Sequence, residues 1–157
     1  MEKILISGCL LGAKVRYNGE GKLIENPLIT QWSNEGRFVS ICPEMAGGLP
    51  TPRPAAQIRD NKVVTEQGTD VTSEFNKGAK MALALCQKHN IKIALLKARS
   101  PSCGNEQIHD GSFSGKIISG QGITAALLTQ HGVRVFNENQ LDEAADVLNQ
   151  IEEKKKS

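Results

Sequence analysis

Three cysteines are the residues of this sequence whose type and position point most directly to chemistry. Cys9, Cys42 and Cys103 each lie just beyond a short apolar run that is typical of a β-strand. Because ligands bind beyond the carboxyl ends of the strands in an open parallel α/β sheet, we expect these side chains to meet at one edge of the sheet. Three soft sulfur ligands in one place indicate a metal ion or an iron–sulfur cluster.

The number of these cysteines bears on what such a centre could do. Three thiolates on a four-iron cluster would leave one iron without a protein ligand, and an open metal position can bind a substrate atom. A zinc ion with three cysteines and an open position is the competing interpretation. The fourth cysteine, Cys86, shares the apolar face of a predicted helix with Ala82 and Leu83, so we expect it to be structural. No C-x-x-C pair occurs, which excludes the thioredoxin, zinc-ribbon and ferredoxin patterns.

The elements that must position these cysteines alternate between strand and helix patterns. This alternation predicts an α/β fold, a single-domain parallel, Rossmann-like sheet over residues 1–157 with helices on both faces and a small hairpin. A loop with four prolines, from Pro43 to Pro54, follows the second strand and shows no helical period. The predicted core strands are Lys3–Ser7, Arg37–Ile41, Ile91–Lys97 and Val133–Phe136, and the hairpin strands are Gln57–Arg59 and Lys62–Glu66. The predicted helices are Pro27–Glu35, a second from about Thr72 to His89, Ile123–Gln130, and a last one with an apolar stripe that includes Leu141 and Leu148.

The composition of the chain bears on whether it binds nucleic acid or a membrane. A chain of 157 residues with a net charge of +2 and 4% aromatic residues gives no strong signal for nucleic acid. No apolar run is long enough to cross a bilayer, and the N-terminus has no signal-peptide pattern, so we expect no membrane partner and a cytoplasmic location. Thiols stay reduced there, which favours metal binding or catalysis over disulfides. The oligomeric state does not follow from the sequence.

Several motifs around the cysteines together resemble the thiouracil desulfidases, long catalogued as the domain of unknown function 523 family. The resemblance covers about residues 3 to 150, and it is the combination of motifs that is specific. The motifs are Gly8–Gly12, Val15–Tyr17, Cys42–Glu44, Gly47–Arg53, Leu96–Gly104, Asp110–Gly115 and Gly122–Leu128.

The resemblance implies a [4Fe–4S] cluster held by Cys9, Cys42 and Cys103. It also implies that a thionated pyrimidine loses its sulfur to the free iron and gives uracil and hydrosulfide, without net redox change. A glutamate and a serine beside the cluster assist in that family, and they correspond to Glu44 and Ser102. The sequence departs from the family pattern at Asn18, where Asp is frequent, and at Gln57, where a carboxylate is frequent; substrate preference depends on such positions.

The reaction requires proton transfer and hydrogen bonding, which Glu44 and Ser102 could supply. Glu44 lies two residues after Cys42, so its carboxylate could manage the protons of water and of the departing sulfur. The alternative is that Glu44 is a solvated loop carboxylate or a glutamate at the start of a helix. Ser102 adjoins Cys103 and could bond the attacking water or a substrate oxygen, while its alternative is a turn serine that satisfies backbone groups.

Further polar residues in the same loops are candidates for contact with substrate. Ser100 and Arg53 are the predicted substrate-binding residues, although Ser100 could instead build its own loop, and bracing of the loop is the favoured interpretation for Arg53. Arg99 shares the loop of Cys103 and has the same two interpretations, and Arg16 with Tyr17 could cover the mouth of the site. None of the three histidines pairs with a cysteine at ligand spacing, so we expect them to be structural or solvated.

Two other functions stay open on the sequence alone. A non-catalytic iron–sulfur carrier or sensor would use the same cysteines but would not need Glu44 and Ser102. A zinc or thiol hydrolase would need no iron, so metal analysis and a visible spectrum would separate it from the desulfidase.

Overall fold

The computed structural model describes residues 1–12, 18 and 25–156, and within them strands and helices alternate as predicted. The strands are β1 (Ile4–Ser7), β2 (Phe38–Ile41), β3 (Ala56–Arg59), β4 (Lys62–Thr65), β5 (Ile93–Leu95), β6 (Gln107–His109), β7 (Ile117–Ser119) and β8 (Arg134–Phe136). The helices are α1 (Pro27–Asn34), α2 (Pro43–Ala46), α3 (Thr72–Lys88), α4 (Ile123–Gln130) and α5 (Leu141–Lys156). None of the described helices is both long enough and apolar enough to span a membrane.

Four strands form the parallel sheet in the order β2-β1-β5-β8, which confirms the predicted α/β class. Ile4 of β1 lies opposite Phe38 of β2 on one side and Ile93 of β5 on the other. The chain therefore leaves β1 toward one edge of the sheet and later returns on its other side. The connections that follow the strands therefore run in opposite directions on the two sides of β1, which leaves a crevice beyond the carboxyl ends of the strands.

Alternating side chains of the sheet build two separate apolar layers. Ile4 and Ile6 face one side, while Leu5 between them faces the other, as the two-residue period of a strand requires. The first layer is completed by α1 and α5, chiefly through Ile29, Trp32, Leu141, Ala144 and Leu148. The second is completed by α3 and α4, chiefly through Ala82, Cys86, Ala125 and Leu128. Both faces of the sheet are thus covered by helices, as predicted.

Two antiparallel hairpins flank the parallel sheet. The predicted hairpin is present as β3 and β4, and its turn residues Asp60 and Asn61 have φ angles of 51° and 65°. These two residue types tolerate left-handed backbone better than most, so the turn forms without glycine. The second hairpin, β6 and β7, was not predicted, because its strands are three residues long and their pattern is too short to detect.

The prediction of an irregular loop from Pro43 to Pro54 is wrong at its beginning, where the helix α2 forms. Proline at the first helical position is compatible with the helix, because its missing N–H would have no partner there. Four residues are too few to show a helical period in the sequence. What holds α2 is a close approach to α3, since a Cβ on Gly47 would lie 1.9 Å from the Glu74 carbonyl oxygen and one on Gly78 would lie 1.8 Å from that of Pro43.

Candidate functional site

The three cysteines singled out by the sequence line one cavity of about 500 Å³ beyond the carboxyl ends of the sheet. Cys9 lies in a 3₁₀ turn, Gly8–Leu11, that directly follows β1. Cys42 directly follows β2 and caps α2, and Cys103 lies in the loop that follows β5. Three distant segments therefore present sulfur to the same space, on the side where the chain reverses around β1.

Cys103 is only 5% exposed, and burial together with nearby negatively charged groups determines the protonation of its thiol. The pKa of its thiol is raised to about 12, mainly by burial and in smaller part by the charges of Glu44, Cys9 and Cys42, against a hydrogen bond from Ser7 that lowers it. Cys9, Cys42 and Glu44 are therefore close enough for their charges to affect the Cys103 thiol. A thiol in this setting becomes a thiolate readily only when a cation or cluster binds it, because metal ligation replaces the proton.

Soft sulfur donors such as these three cysteines are ligands of zinc ions and of iron–sulfur clusters. In the described part of the chain, no group of three or more His, Cys, Asp or Glu residues is arranged to hold one metal ion. A tetrahedral zinc site would need its three sulfurs around a common point. In a four-iron cluster each thiolate binds a different iron, so its ligands stand farther apart around a larger body.

Glu44 lies in the first turn of α2, and its carboxylate is fixed by Arg53. Both Nε and a terminal nitrogen of Arg53 contact Glu44 Oε2, at 2.7 and 2.5 Å. The other terminal nitrogen bonds the Pro50 carbonyl and Thr51 Oγ1, at 3.1 and 3.0 Å. The side chains are only 5% exposed for the arginine and 13% for the glutamate, and both residues line the cavity. The guanidinium of Arg53 therefore holds the carboxylate of Glu44 in one orientation.

The two predicted serines occupy different places. Ser100 lines the cavity, and its Oγ accepts hydrogen bonds from the backbone N–H groups of Ser102 and Cys103, at 3.0 and 3.1 Å. Ser102 is 1% exposed and is not among the described residues of the cavity wall. Its Oγ lies 2.7 Å from Thr124 Oγ1, and its carbonyl accepts from the N–H groups of Thr124 and Ala125. The hydroxyl that reaches the cavity is that of Ser100, and the catalytic role of Ser102 stays a prediction.

The wall of the cavity that does not carry the cysteines is made by the two hairpins. Phe113, in the turn between β6 and β7, lines the cavity with a φ of 59°, a conformation that is rare for a bulky residue. Gln57 of β3 holds that turn, because its Oε1 accepts from the N–H groups of Gly111 and Phe113 at 3.0 and 3.2 Å. Since this contact uses only an oxygen acceptor, an amide and a carboxylate serve it equally well.

His109, for which the sequence predicted no role, also lines the cavity. Its Nδ1 is buried without a hydrogen-bond partner in the described structure. Phe113 lies in the motif Asp110–Gly115, but neither it nor His109 was predicted to line the site, because both reach the cavity through a hairpin that was too short to predict.

Lys97 is a further cavity residue that the sequence analysis did not single out. Its Nζ lies 2.9 Å from Glu138 Oε2, and the second oxygen of that carboxylate accepts from the Ala98 N–H at 2.7 Å. Burial by itself would raise the pKa of Glu138, but the bonds from Lys97 and the backbone outweigh it and lower that pKa. Glu138 therefore remains ionised and ties the loop after β5 to the end of β8.

The remaining predicted residues differ in their position relative to the cavity. Arg99 lines the cavity and has a φ of 66°. Cys86 is buried in the apolar layer between α3 and the sheet, where burial raises its thiol pKa to about 11, in agreement with the predicted structural role. Arg16 and Tyr17 lie outside the described residues.

Comparison with known proteins gives this arrangement a family. The profile of the 2-thiouracil desulfurase family matches residues 4–140. The chain belongs to this family. It is also 43% identical over 150 residues to the uncharacterized protein YbbK of Bacillus subtilis (strain 168), which covers 89% of this chain and 98% of that protein. A solved structure named as the [4Fe–4S]-dependent thiouracil desulfidase TudS superposes with a TM-score of 0.94 at 51% identity, covering 96% of this chain and 99% of the other.

Proposed function

We propose that this protein is a [4Fe–4S]-dependent thiouracil desulfidase, an enzyme that takes sulfur from thiouracil-type nucleobases or nucleosides. In the reaction, water supplies the oxygen that replaces sulfur, so a thiouracil and water give uracil and hydrosulfide with no net redox change. The observation that carries the proposal is the cavity itself, where three cysteines, a fixed carboxylate and a serine hydroxyl line one space in a member of this family.

The residues present fit the cofactor. We assign Cys9, Cys42 and Cys103 as its ligands, because soft thiolates are the usual protein ligands of iron–sulfur clusters and all three line the cavity. Cys86 lies in an apolar layer away from the cavity and does not supply a fourth. With three protein ligands, the bound cluster supplies one open, Lewis-acidic iron with an affinity for the soft sulfur of the substrate.

Glu44 is the residue we propose for proton transfer. The attack of water on the carbon that bears sulfur needs a group that accepts a proton, and the departing sulfur needs one that returns it. A single carboxylate beside the reacting carbon can do both in turn. Arg53 keeps this carboxylate in one orientation, which is the positioning that such a transfer requires. In this account Arg53, predicted as a substrate-binding residue, contributes chiefly through Glu44.

Ser100 is the hydroxyl we propose to contact the substrate. Two backbone N–H groups already donate to its oxygen, so its own proton remains to be donated into the cavity. A pyrimidine oxygen or the oxygen that replaces sulfur would be a suitable acceptor. We retain Ser102, which the resemblance implies as the assisting serine, as the competing candidate, and the two are separated by paired variants below.

We further infer a single domain over residues 1–157, a thionated pyrimidine as the small-molecule partner and a cytoplasmic location. None of the four cysteines forms a disulfide in the described structure, and reduced thiols persist best where the compartment is reducing.

Anaerobic reconstitution followed by incubation with 4-thiouracil tests the proposal. We expect iron and sulfide to bind, a broad visible absorbance to appear, and uracil and hydrosulfide to form in equal amounts. Glu44→Gln should keep its iron and lose turnover, because an amide oxygen can still accept from Arg53 but the side chain can no longer transfer a proton. Retained iron in the unmodified protein without uracil would favour a carrier or sensor, and zinc in place of iron would favour a hydrolase; either result contradicts the proposal.

A further inference from the structure

Ser7, the last residue of the central strand β1, lies beside one of the proposed cluster ligands. It is 3% exposed, and its Oγ lies 3.4 Å from the sulfur of Cys103. The same oxygen lies 3.2 Å from the backbone nitrogen of Lys97. The neighbouring strands β1 and β5 fix this arrangement, since Ser7 and Lys97 both lie just beyond the paired residues Ile6 and Leu95.

The second contact fixes the direction of the first. A serine hydroxyl has one proton and two lone pairs, whereas a backbone N–H can only donate. Because Lys97 donates to Ser7 Oγ, the hydroxyl proton is left for the sulfur of Cys103.

We propose that Ser7 is a positioning residue that donates a hydrogen bond to the Cys103 thiolate and thereby raises the reduction potential of the cluster. A donor to a ligand sulfur withdraws electron density from it and favours the reduced, more negative state of the cluster. The inference rests on the proposed function, because it needs Cys103 to be a cluster ligand. Ser7 also lines the cavity, but the role proposed here is exerted through the sulfur of Cys103.

Ser7 also holds the loop after β5, so its removal could act through the loop instead of the sulfur. Glu138 separates the two effects. It anchors the same loop through Ala98 and Lys97 and makes no contact with Cys103 in the described hydrogen-bond network. Glu138→Ala therefore loosens the loop while the hydrogen bond to the sulfur stays in place. Ser7→Thr keeps the hydroxyl and serves as the conservative variant.

The test is a dye-mediated reduction titration of the anaerobically reconstituted proteins. We expect Ser7→Ala to lower the midpoint potential so that the reduced-to-oxidised ratio at a fixed potential changes about threefold, or roughly 28 mV for one electron. Ser7→Thr should retain the wild-type potential, and Glu138→Ala should not lower it, because loss of that carboxylate leaves the positive charge of Lys97 beside the cavity. An unchanged potential in Ser7→Ala at full iron content, or an equal fall in Glu138→Ala, would overturn the inference.

A second measurement needs no variant, in case Ser7→Ala takes up too little iron to titrate. Resonance Raman spectra of the wild-type protein reconstituted in H₂O and in D₂O should differ in an Fe–S(Cys) stretching mode, because the bonded hydroxyl proton exchanges. Spectra without any such difference would overturn the inference while leaving the desulfidase proposal intact. A wild-type protein that binds no cluster at all would overturn both.

Discussion

At the scale of single residues, position relative to the cavity separates the four cysteines more clearly than burial does. Both Cys86 and Cys103 are buried, and burial raises both thiol pKa values, to about 11 and about 12. Both also belong to the same apolar layer, but Cys103 lines the cavity and has a hydroxyl donor at its sulfur, whereas Cys86 is not among the described cavity residues. A high pKa in an isolated residue therefore does not distinguish an inert thiol from a ligand.

Alanine variants of the four cysteines test the ligand assignment. After reconstitution, Cys9→Ala, Cys42→Ala and Cys103→Ala should each lose most of the bound iron and the visible absorbance, because a cluster with only two protein ligands is poorly held. Cys86→Ala is the matched control and should keep both, with a loss of stability of about 1 kcal/mol from the small cavity. Full iron content in any of the first three variants would refute the assignment.

The two serines of the Cys103 loop give a second prediction at this scale. Ser100→Ala should lower kcat on the order of 10²-fold, because it removes a hydrogen-bond donor from the cavity. Ser102→Ala should instead lower the free energy of unfolding by about 1–2 kcal/mol, because it leaves the buried Thr124 hydroxyl without its partner. Steady-state kinetics and denaturant unfolding of both variants measure these effects. The reverse pattern would assign the assisting role to Ser102, as the family resemblance implies.

At the scale of elements, the helix α2 is what carries Cys42 and Glu44 into the site, and its position depends on α3. The approach of the two helices leaves no room for a side chain at Gly47 or Gly78. The sequence could not reveal this contact, because the two glycines are distant in the chain and only the folded structure brings them together. The hydrophobic period of α3 was visible, but what packs against its glycine was not.

Gly78→Ala tests this contact. Alanine gains about 1 kcal/mol in helix propensity over glycine, but a Cβ at 1.8 Å from the Pro43 oxygen must displace α2, at a cost of typically 1–3 kcal/mol. We therefore expect lower stability on denaturant unfolding together with reduced iron content, since Cys42 moves with α2. The control is Ala84→Gly at an exposed position of α3, which should cost about 1 kcal/mol and leave the iron content unchanged. A stabilised Gly78→Ala protein with full iron would contradict this view of α2.

The turn between β6 and β7 supplies the other wall, and Phe113 is its part most suited to a planar substrate. Phe113→Ala should raise KM about threefold to tenfold, as expected from the loss of about 0.5–1.5 kcal/mol of aromatic contact, with little change in iron content. Ser114→Ala is the control, because Ser114 is exposed in the same turn and is not among the cavity residues described. An unchanged KM for Phe113→Ala would show that the substrate does not reach this wall.

At the scale of the whole molecule, the order β2-β1-β5-β8 explains why segments far apart in sequence converge. The loops after β1, β2 and β5 all lie at the carboxyl edge, and each carries one cysteine. The apolar runs of the strands and the periods of α3 and α5 made this architecture predictable, because burial on the two faces of a sheet leaves a strong pattern. The hydrogen bond between Lys97 and Ser7, by contrast, depends on β1 and β5 being neighbours in the sheet. No local sequence pattern shows which strands are neighbours.

The central claim is that these cysteines hold one four-iron cluster and leave one iron open to the sulfur of the substrate. A Mössbauer spectrum of protein reconstituted with ⁵⁷Fe, recorded with and without 4-thiouracil, tests it most directly. We predict three similar iron sites and one distinct site, and that only the distinct site changes when the thionated base is added. Four equivalent sites, or a spectrum that does not respond to the base, would contradict the account.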